Sequence, residues 1–303
     1  RWQIARRMPH ILTLVAPRGA LDPALVARCR AALDTLGAAP GTPDWLSERE
    51  AADIPFTGQA DQAVAAARAA LGGAAVDAIA NPVAGRRKRL LIADMDSTIV
   101  TTETLDEIAA HAGLKEPIAA ITRRSMNGEL DFRAALIERV ALLRGLDAAA
   151  LEATWSGTRM MPGAAELVAT MRAHGAVCCL ASGGFTFFTG RVAERLGFQH
   201  HVSNTLLIED GVLTGGVAEP VFDRNAKLET LVRLARENRL ALAETLAVGD
   251  GANDLDMIGA AGLGVAYHAK PVVAAAARAR VDHGDLTALL FAQGYRRGEF
   301  VEV

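Results

Sequence analysis

The chain has 303 residues, of which 51% are hydrophobic, and its formal net charge at pH 7 is −3. A chain of this length and composition is expected to form one large globular domain or two. Its basic residues are dispersed apart from a short cluster at 86–89, which argues against nucleic-acid binding, and no segment reaches the roughly 18–20 apolar residues of a membrane span.

The cysteines predict a reducing environment. There are three of them, an odd number, and Cys178 and Cys179 are adjacent in a predicted buried strand, while Cys29 lies far away. This pattern favours free thiols over a disulfide framework. The first residues carry charge but no apolar run typical of a signal peptide. We therefore expect a cytoplasmic protein.

Residues 1–82 are predicted to form a separate small α+β domain. Asp22 is a natural N-cap for its first helix, and Gly72 is a natural stop for its second. The predicted elements are a strand over 11–16, a helix over 23–36, one or two weak strands within 43–56, a helix over 62–71 and a strand over 75–80. A linker is expected over 81–85, where Asn, Pro and Gly occur close together.

Residues 83–303 are predicted to form an α/β domain with a Rossmann-like parallel sheet, because strands and helices alternate there. The predicted strands lie over 89–94, 176–181, 245–249 and 263–266. Between the first two lie predicted helices over 102–112, 117–127, 131–143, 147–154 and 164–174, whereas a normal crossover needs one helix. The surplus, about 101–160, is interpreted as a helical cap over the carboxyl ends of the strands. Asp210 and Gly211 predict a tight hairpin.

Two aspartates lie where the first apolar strand ends. Asp94 and Asp96 are followed at once by Ser97 and Thr98. Ligands of parallel sheets bind at this edge, and a carboxylate there can hold a hard cation, attack phosphorus or move a proton. An ordinary turn is the alternative, since Asp and Ser favour turns.

A second strand end carries a hydroxyl group and glycines. Ser182, Gly183 and Gly184 precede a helix predicted from about Phe185. Glycine amides at a helix N-terminus predict an anion-binding site. A plain strand-to-helix turn is the alternative.

Two further segments add a cation and two acids. Lys227 lies near the start of a helix predicted over 226–237, where a positive charge opposes the helix dipole. A neighbouring anion would explain that position, and a solvated lysine is the alternative. Asp250 ends the third strand, and Asp254 opens the next helix, for which it is a natural N-cap.

These segments are expected to meet at one edge of the sheet. Asp94, Asp96, Asp250 and Asp254 would then lie together and require a counter-ion. Mg²⁺ fits best, because it prefers oxygen ligands and accompanies phosphate. Lys227 would help to neutralise that phosphate.

Together the segments resemble the four motifs of the haloacid dehalogenase superfamily of phosphatases, in the expected order and over about residues 88–290. The resemblance implies that Asp94 is the nucleophile and forms an aspartyl-phosphate, while Asp96 is the general acid and base. It also implies one Mg²⁺ per site, held by the Asp94 and Asp250 carboxylates and the Asp96 backbone carbonyl. Asp254 would act behind these ligands.

The same resemblance assigns groups to the substrate. Ser182, Gly183 and Lys227 would bind the phosphoryl oxygens. Met126 would form an apolar wall of the pocket, and Asn253 would contact the bound substrate.

Within the superfamily the chain is similar to phosphatases that act on O-phosphoserine, and Glu103 and Arg139 carry this likeness. Arg139 falls within an apolar stripe of the helix over 131–143, where a surface arginine is not expected. Its fork suits a substrate carboxylate, and Glu103 suits an ammonium group. The alternatives are an internal ion pair of Arg139 with Glu103 or another acid, and an ordinary helix-start role for Glu103.

The resemblance implies hydrolysis of O-phosphoserine to serine and inorganic phosphate, the last step of serine biosynthesis. Hydrolysis of phosphothreonine or phosphohomoserine, or transfer of the phosphoryl group to another alcohol, are alternatives. A receiver-type phospho-aspartate switch is a remote alternative. Receiver domains place their acidic residues in a different order along the chain, and they lack a helical insertion of this size. The element order of residues 1–82 resembles an ACT-like domain, which suggests a role in homodimerisation or stability, with amino-acid binding as an alternative.

Overall fold

The computed structural model describes residues 8–126 and 130–303, and it contains an antiparallel sheet followed along the chain by a parallel one. In that part of the chain, no helix combines the length and the apolar run that a membrane crossing needs.

The first sheet has four antiparallel strands, and two helices lie between them along the chain. In chain order they are β1 (His10–Val15), α1 (Pro23–Thr35), β2 (Asp44–Ser47), β3 (Ala51–Phe56), α2 (Ala60–Leu71) and β4 (Asp77–Pro82). The strand order is β2–β3–β1–β4, and both helices pack against the face that carries Leu12 and Leu14. The uncertain segment 43–56 thus holds two strands.

The local signals of this region act as the sequence predicts. The Asp22 carboxylate accepts a hydrogen bond from the backbone N–H of Ala24 and so caps α1. Gly72 ends α2 in the left-handed conformation, at φ 61°. The expected linker is partly wrong, because Asn81 and Pro82 belong to β4.

The second sheet has six parallel strands. In chain order the remaining strands are β5 (Leu90–Ala93), β6 (Val177–Phe185), β7 (His200–Asn204), β8 (Leu206–Glu209), β9 (Val212–Val217), β10 (Thr245–Gly249), β11 (Leu263–Tyr267) and β12 (Ala279–Val281). The order across the sheet is β12–β11–β10–β5–β6–β7, and β8 and β9 form the predicted hairpin. The predicted α/β fold with a parallel sheet is therefore confirmed.

Helices cover both faces of this sheet. Five of them lie between β5 and β6: α3 (Thr104–His111), α4 (Lys115–Met126), α5 (Phe132–Ala141), α6 (Ala149–Gly157) and α7 (Ala164–Ala173). The others are α8 (Thr186–Leu196), α9 (Arg224–Glu237), α10 (Leu255–Ala260), α11 (Pro271–Ala276) and α12 (Ala288–Ala292). Successive residues of β5 alternate between two cores: Leu91 and Ala93 face one, Leu90 and Ile92 the other.

The two sheets adjoin at their edges, where β4 lies beside β12. The Asp77 carboxylate of β4 accepts hydrogen bonds from the backbone N–H groups of Asp282, at 2.7 Å, and Gly284, at 2.8 Å. Arg86 donates to Asp53 Oδ2 at 2.6 Å and to the carbonyl of Ala292 at 2.8 Å. Polar groups of the N-terminal sheet thus satisfy backbone groups of the α/β part.

Candidate active site

Three buried carboxylates meet at the carboxyl ends of β5 and β10. These strands are neighbours in the parallel sheet, so Asp94, just after β5, and Asp250, just after β10, lie side by side. Each of Asp94, Asp250 and Asp254 offers one oxygen, and these oxygens lie within 4.8 Å of one another. The structure therefore brings together three of the four acids that the sequence predicts at this edge.

Lys227 lies against this group. Its Nζ donates to Asp94 Oδ1 and to Asp254 Oδ1, both at 2.6 Å, and its side chain is only 1% exposed. The alternative of a solvated lysine is therefore wrong. Burial alone would lower the pKa of Lys227, but the charges of Asp254 and Asp94 outweigh burial and raise it, so the amine stays protonated.

Asp254 supports the cluster rather than a helix. Its carboxylate makes no N-cap hydrogen bond to α10, contrary to the ordinary role open to it in the sequence. Instead Oδ1 accepts from Lys227, and Oδ2 accepts from the backbone N–H of Gly251 at 3.0 Å. A Cβ at Gly249 would lie 2.7 Å from Asp254 Cβ, so only glycine fits there. Burial and the charge of Asp94 raise the pKa of Asp254 to about 6, although Lys227 opposes them.

Asp250 has weaker partners. Thr98 Oγ1 donates to Asp250 Oδ1 at 3.3 Å, and Lys270 Nζ lies 3.7 Å from Asp250 Oδ2. Burial, followed by the charges of Asp94 and Asp254, raises the pKa of Asp250 to about 7. The sequence analysis missed Lys270, although its position three residues after β11 could have signalled it.

Asp96 is not part of this cluster of three carboxylates, and it contacts the start of the helical insertion. Its Oδ1 accepts from the backbone N–H of Thr104, the first residue of α3, at 3.0 Å. Burial, and then the charges of Glu103 and Asp94, raise the pKa of Asp96 well above its ordinary value. A carboxyl group whose pKa is raised in this way is suited to acid–base chemistry.

The end of β6 lies next to Asp96. A Cβ at Gly184 would come within 2.9 Å of Asp96 Oδ2 and 3.0 Å of Ser182 Oγ. The helix predicted from about Phe185 is confirmed, since α8 begins at Thr186, but Gly183 and Gly184 belong to the end of β6 rather than to the helix N-terminus. The Gly184 N–H donates to Ser182 Oγ at 2.9 Å, so this amide already has a partner within the segment.

The insertion touches the same strand end. A Cβ at Gly183 would lie 2.9 Å from Cζ of Phe132, which begins α5, and 3.9 Å from Nδ2 of Asn253. The aromatic ring of the insertion and the amide of the fourth motif therefore converge on Gly183. Phe132 was predicted only as part of an apolar stripe.

Glu103 and Arg139 lie at the insertion side of the site. Ser97 Oγ donates to Glu103 Oε1 at 2.7 Å. Arg139 is half-buried and donates to the carbonyl of Ala135 at 3.1 Å and to Thr122 Oγ1 at 3.4 Å. Among the described residues Arg139 forms no salt bridge, so the internal ion pair considered for it is not present there.

The pKa of Arg139 reflects this setting. Burial lowers it, while the charges of Asp106, Glu103 and Asp96 oppose burial. Met126 ends α4, but its side chain lies outside the described part of the structure, so its predicted place in the pocket stays a prediction.

A family model described as haloacid dehalogenase-like hydrolase matches residues 91–259. The chain belongs to the haloacid dehalogenase-like hydrolases. Among them it is similar to phosphoserine phosphatases. It is 43% identical over 234 residues to the phosphoserine phosphatase of Streptomyces coelicolor, an alignment that covers 77% of this chain and 57% of that protein.

Solved structures of phosphoserine phosphatases are also similar to this chain. A probable phosphoserine phosphatase from Vibrio cholerae superposes with a TM-score of 0.78 at 33% identity, covering 97% of this chain and 89% of that one. A substrate-bound phosphoserine phosphatase superposes with a TM-score of 0.64 at 38% identity, covering 68% of this chain and 98% of that one. The chain spans 53–59% of the length of the Streptomyces protein and three other curated phosphoserine phosphatases that it matches.

Proposed function

We propose that the protein hydrolyses O-phosphoserine to serine and inorganic phosphate through an aspartyl-phosphate on Asp94. The observation that carries this proposal is the buried contact of Lys227 with Asp94, beside Asp250 and Asp254. A lysine that holds a strand-end carboxylate in a water-poor site suits phosphoryl transfer, which depends on positioning and charge neutralisation. The likeness to phosphoserine phosphatases supports the choice of substrate.

The acids fit a divalent cation. Three buried carboxylates face one buried lysine, and the raised pKa of Asp250 shows that its negative charge lacks compensation. Mg²⁺, one per site, would be held by the carboxylates of Asp94 and Asp250 and the backbone carbonyl of Asp96, with Asp254 acting through Lys227 and Gly251. When bound, the ion would add positive charge next to the phosphoryl oxygens.

The first half-reaction needs a nucleophile and an acid. Lys227 holds Asp94 Oδ1, which leaves Oδ2 to attack phosphorus. As the bond from phosphorus to the serine oxygen breaks, Asp96 donates its proton to that oxygen, and the released product is neutral serine alcohol rather than an alkoxide. The raised pKa of Asp96 keeps this proton available.

The second half-reaction reverses the role of Asp96. Its carboxylate takes a proton from a water molecule, and that water attacks the phosphorus of the aspartyl-phosphate. The bond between phosphorus and Asp94 breaks, which releases inorganic phosphate and restores Asp94. Ser182, the amide of Gly183 and Lys227 would neutralise the phosphoryl oxygens in both halves.

Recognition of the amino-acid end falls to the insertion. Arg139, free of a salt bridge among the described residues, would bind the substrate carboxylate, and Glu103 would bind the ammonium group. Asn253 beside Gly183 would contact the substrate, and Met126 would add an apolar wall. The contact of Phe132 with Gly183 supports a role for the insertion in excluding bulk water during reaction.

The N-terminal sheet is proposed to stabilise the protein or to pair with a second copy, as its ACT-like element order suggests. The family model begins at residue 91, so this sheet lies outside it.

The decisive experiment measures inorganic phosphate release from O-phospho-L-serine, with Mg²⁺ and with EDTA. We expect turnover that EDTA abolishes and that Asp94→Asn abolishes without loss of folding. A panel with phosphothreonine, phosphohomoserine and added acceptor alcohols distinguishes the alternatives. An Asp94→Asn protein that turns over normally would contradict the nucleophile assignment.

A further inference from the structure

A cavity of about 130 Å³ lies between the two sheets, away from the active site. Its walls come from the end of α2 and the start of β4 on one side and from the end of β12 on the other. Because a water molecule takes about 30 Å³ of liquid, the cavity has room for about four waters or for one small polar ligand.

Two arginines line this cavity with unpartnered nitrogens. Nη2 of Arg68 and Nε of Arg280 are buried and have no hydrogen-bond acceptor. Burial, and next the charge of Arg280, lower the pKa of Arg68, while the charges of Asp282 and Asp77 oppose them. The two unused donors could be satisfied by an acceptor that enters the cavity.

The acids of the cavity are already engaged. Asp77 uses both carboxylate oxygens to accept from the backbone N–H groups of Asp282, His283 and Gly284. Asp282 Oδ2 lies 2.7 Å from Arg280 Nε, in a direction that makes no hydrogen bond. Arg68 forms no salt bridge within residues 8–126 and 130–303. Arg68 therefore has no salt-bridged acid of its own in the part of the chain that is described, although the nearby charges of Asp282 and Asp77 favour its charged form.

We propose that this cavity binds a small oxyanion, held jointly by the guanidinium groups of Arg68 and Arg280. The volume suits inorganic phosphate or the carboxylate end of a small amino acid, and both offer several acceptor oxygens to the forked donors. Since one arginine comes from each side of the junction, the bound anion would join the N-terminal sheet to the α/β part. This site does not depend on the proposed hydrolysis.

The test compares melting temperatures when part of the chloride is replaced by inorganic phosphate at constant ionic strength in one arm, and when L-serine is added to the unchanged chloride buffer in the other. A ligand that binds only the folded protein raises the melting temperature. We expect the melting temperature of the wild type to rise more than that of Arg68→Gln in at least one arm. The active site is intact in both proteins, so its contribution cancels in the comparison.

Arg28→Gln is the matched control, since Arg28 is an exposed arginine of α1, the other helix that packs on the N-terminal sheet. The melting temperature of this control should rise as much as that of the wild type. Arg280→Gln serves as a second variant should Arg68→Gln fold poorly. A difference in the phosphate arm identifies an inorganic oxyanion, and one in the serine arm identifies a carboxylate. Equal gains for the wild type and both cavity variants, in both arms, would overturn the proposal.

Discussion

The Asp96 carboxylate accepts a 3.0 Å hydrogen bond from the backbone N–H of Thr104, which begins the first helix of the insertion. One side chain thus belongs to the strand end that is proposed to be catalytic and also holds the start of the insertion. The proposed acid–base group and the first helix of the insertion are therefore linked by a hydrogen bond.

The first prediction separates these two roles of Asp96. Asp96→Asn keeps an acceptor for Thr104 but cannot transfer a proton, so kcat on O-phosphoserine should fall about 10²–10⁴-fold. Its melting temperature should stay close to that of the wild type. Asp96→Ala loses the hydrogen bond as well and should also lower the melting temperature. An Asn variant with normal kcat would remove Asp96 as the acid.

The second prediction concerns the buried lysine. Lys227→Met leaves Asp94 and Asp254 without their cation, so in EDTA the free energy of unfolding should drop by about 3–5 kcal/mol. Urea unfolding measures it. Lys115→Met is the control, because Lys115 pairs with Glu107 at 3.3 Å on the surface and should cost only about 0–1 kcal/mol. Similar losses in the two variants would show that the buried contacts of Lys227 contribute little.

The third prediction tests the proposed carboxylate contact. Arg139→Gln should lower kcat/KM for O-phosphoserine roughly 30-fold or more. This corresponds to a loss of about 2–5 kcal/mol of transition-state stabilisation. Hydrolysis of p-nitrophenyl phosphate, which has no carboxylate, should change little. Arg133→Gln is the control on the same helix, since Arg133 pairs with Glu219 at the surface. Equal losses on both substrates would argue against the contact.

The fourth prediction follows from the pKa of Asp250. In the metal-free protein this pKa is raised to about 7, so Asp250 gains a proton as the pH falls through that value. Protons then compete with the cation, and the apparent affinity for Mg²⁺ should fall below pH about 7, approaching about tenfold per pH unit. Calorimetric titration with MgCl₂ at several pH values measures this. A constant affinity from pH about 7 to 5 would show that Asp250 does not bind the ion.

The central strands were predictable because burial on both faces demands apolar runs, as in β5 and β10. β7 and β12 were not predicted. β7 is a polar edge strand, His200–Asn204, and β12 has three residues at the other edge, so neither has a hydrophobic pattern of its own. Their pairing depends on neighbours distant in sequence.

Some residues of the site could likewise be predicted from the sequence, and others could not. Asp94 and Asp250 were predictable because strand ends of a parallel sheet share an edge. Lys227 was predictable because a cation at the start of a helix calls for a neighbouring anion. The contact of Lys270 with Asp250 and that of Phe132 with Gly183 were not, since each joins segments whose relative placement only the tertiary structure decides. The N-cap role open to Asp254 was wrong for the same reason: Lys227 and Gly251 take both of its oxygens.

The absent side chain at Gly183 has a consequence for turnover. The ring of Phe132 occupies the space that a methyl group at position 183 would need. Alanine there would push the ring, and α5 with it, outward. The missing methyl group thus lets α5 rest directly on the backbone of this strand end, and under the proposed function the size of residue 183 would limit how closely the insertion approaches the pocket.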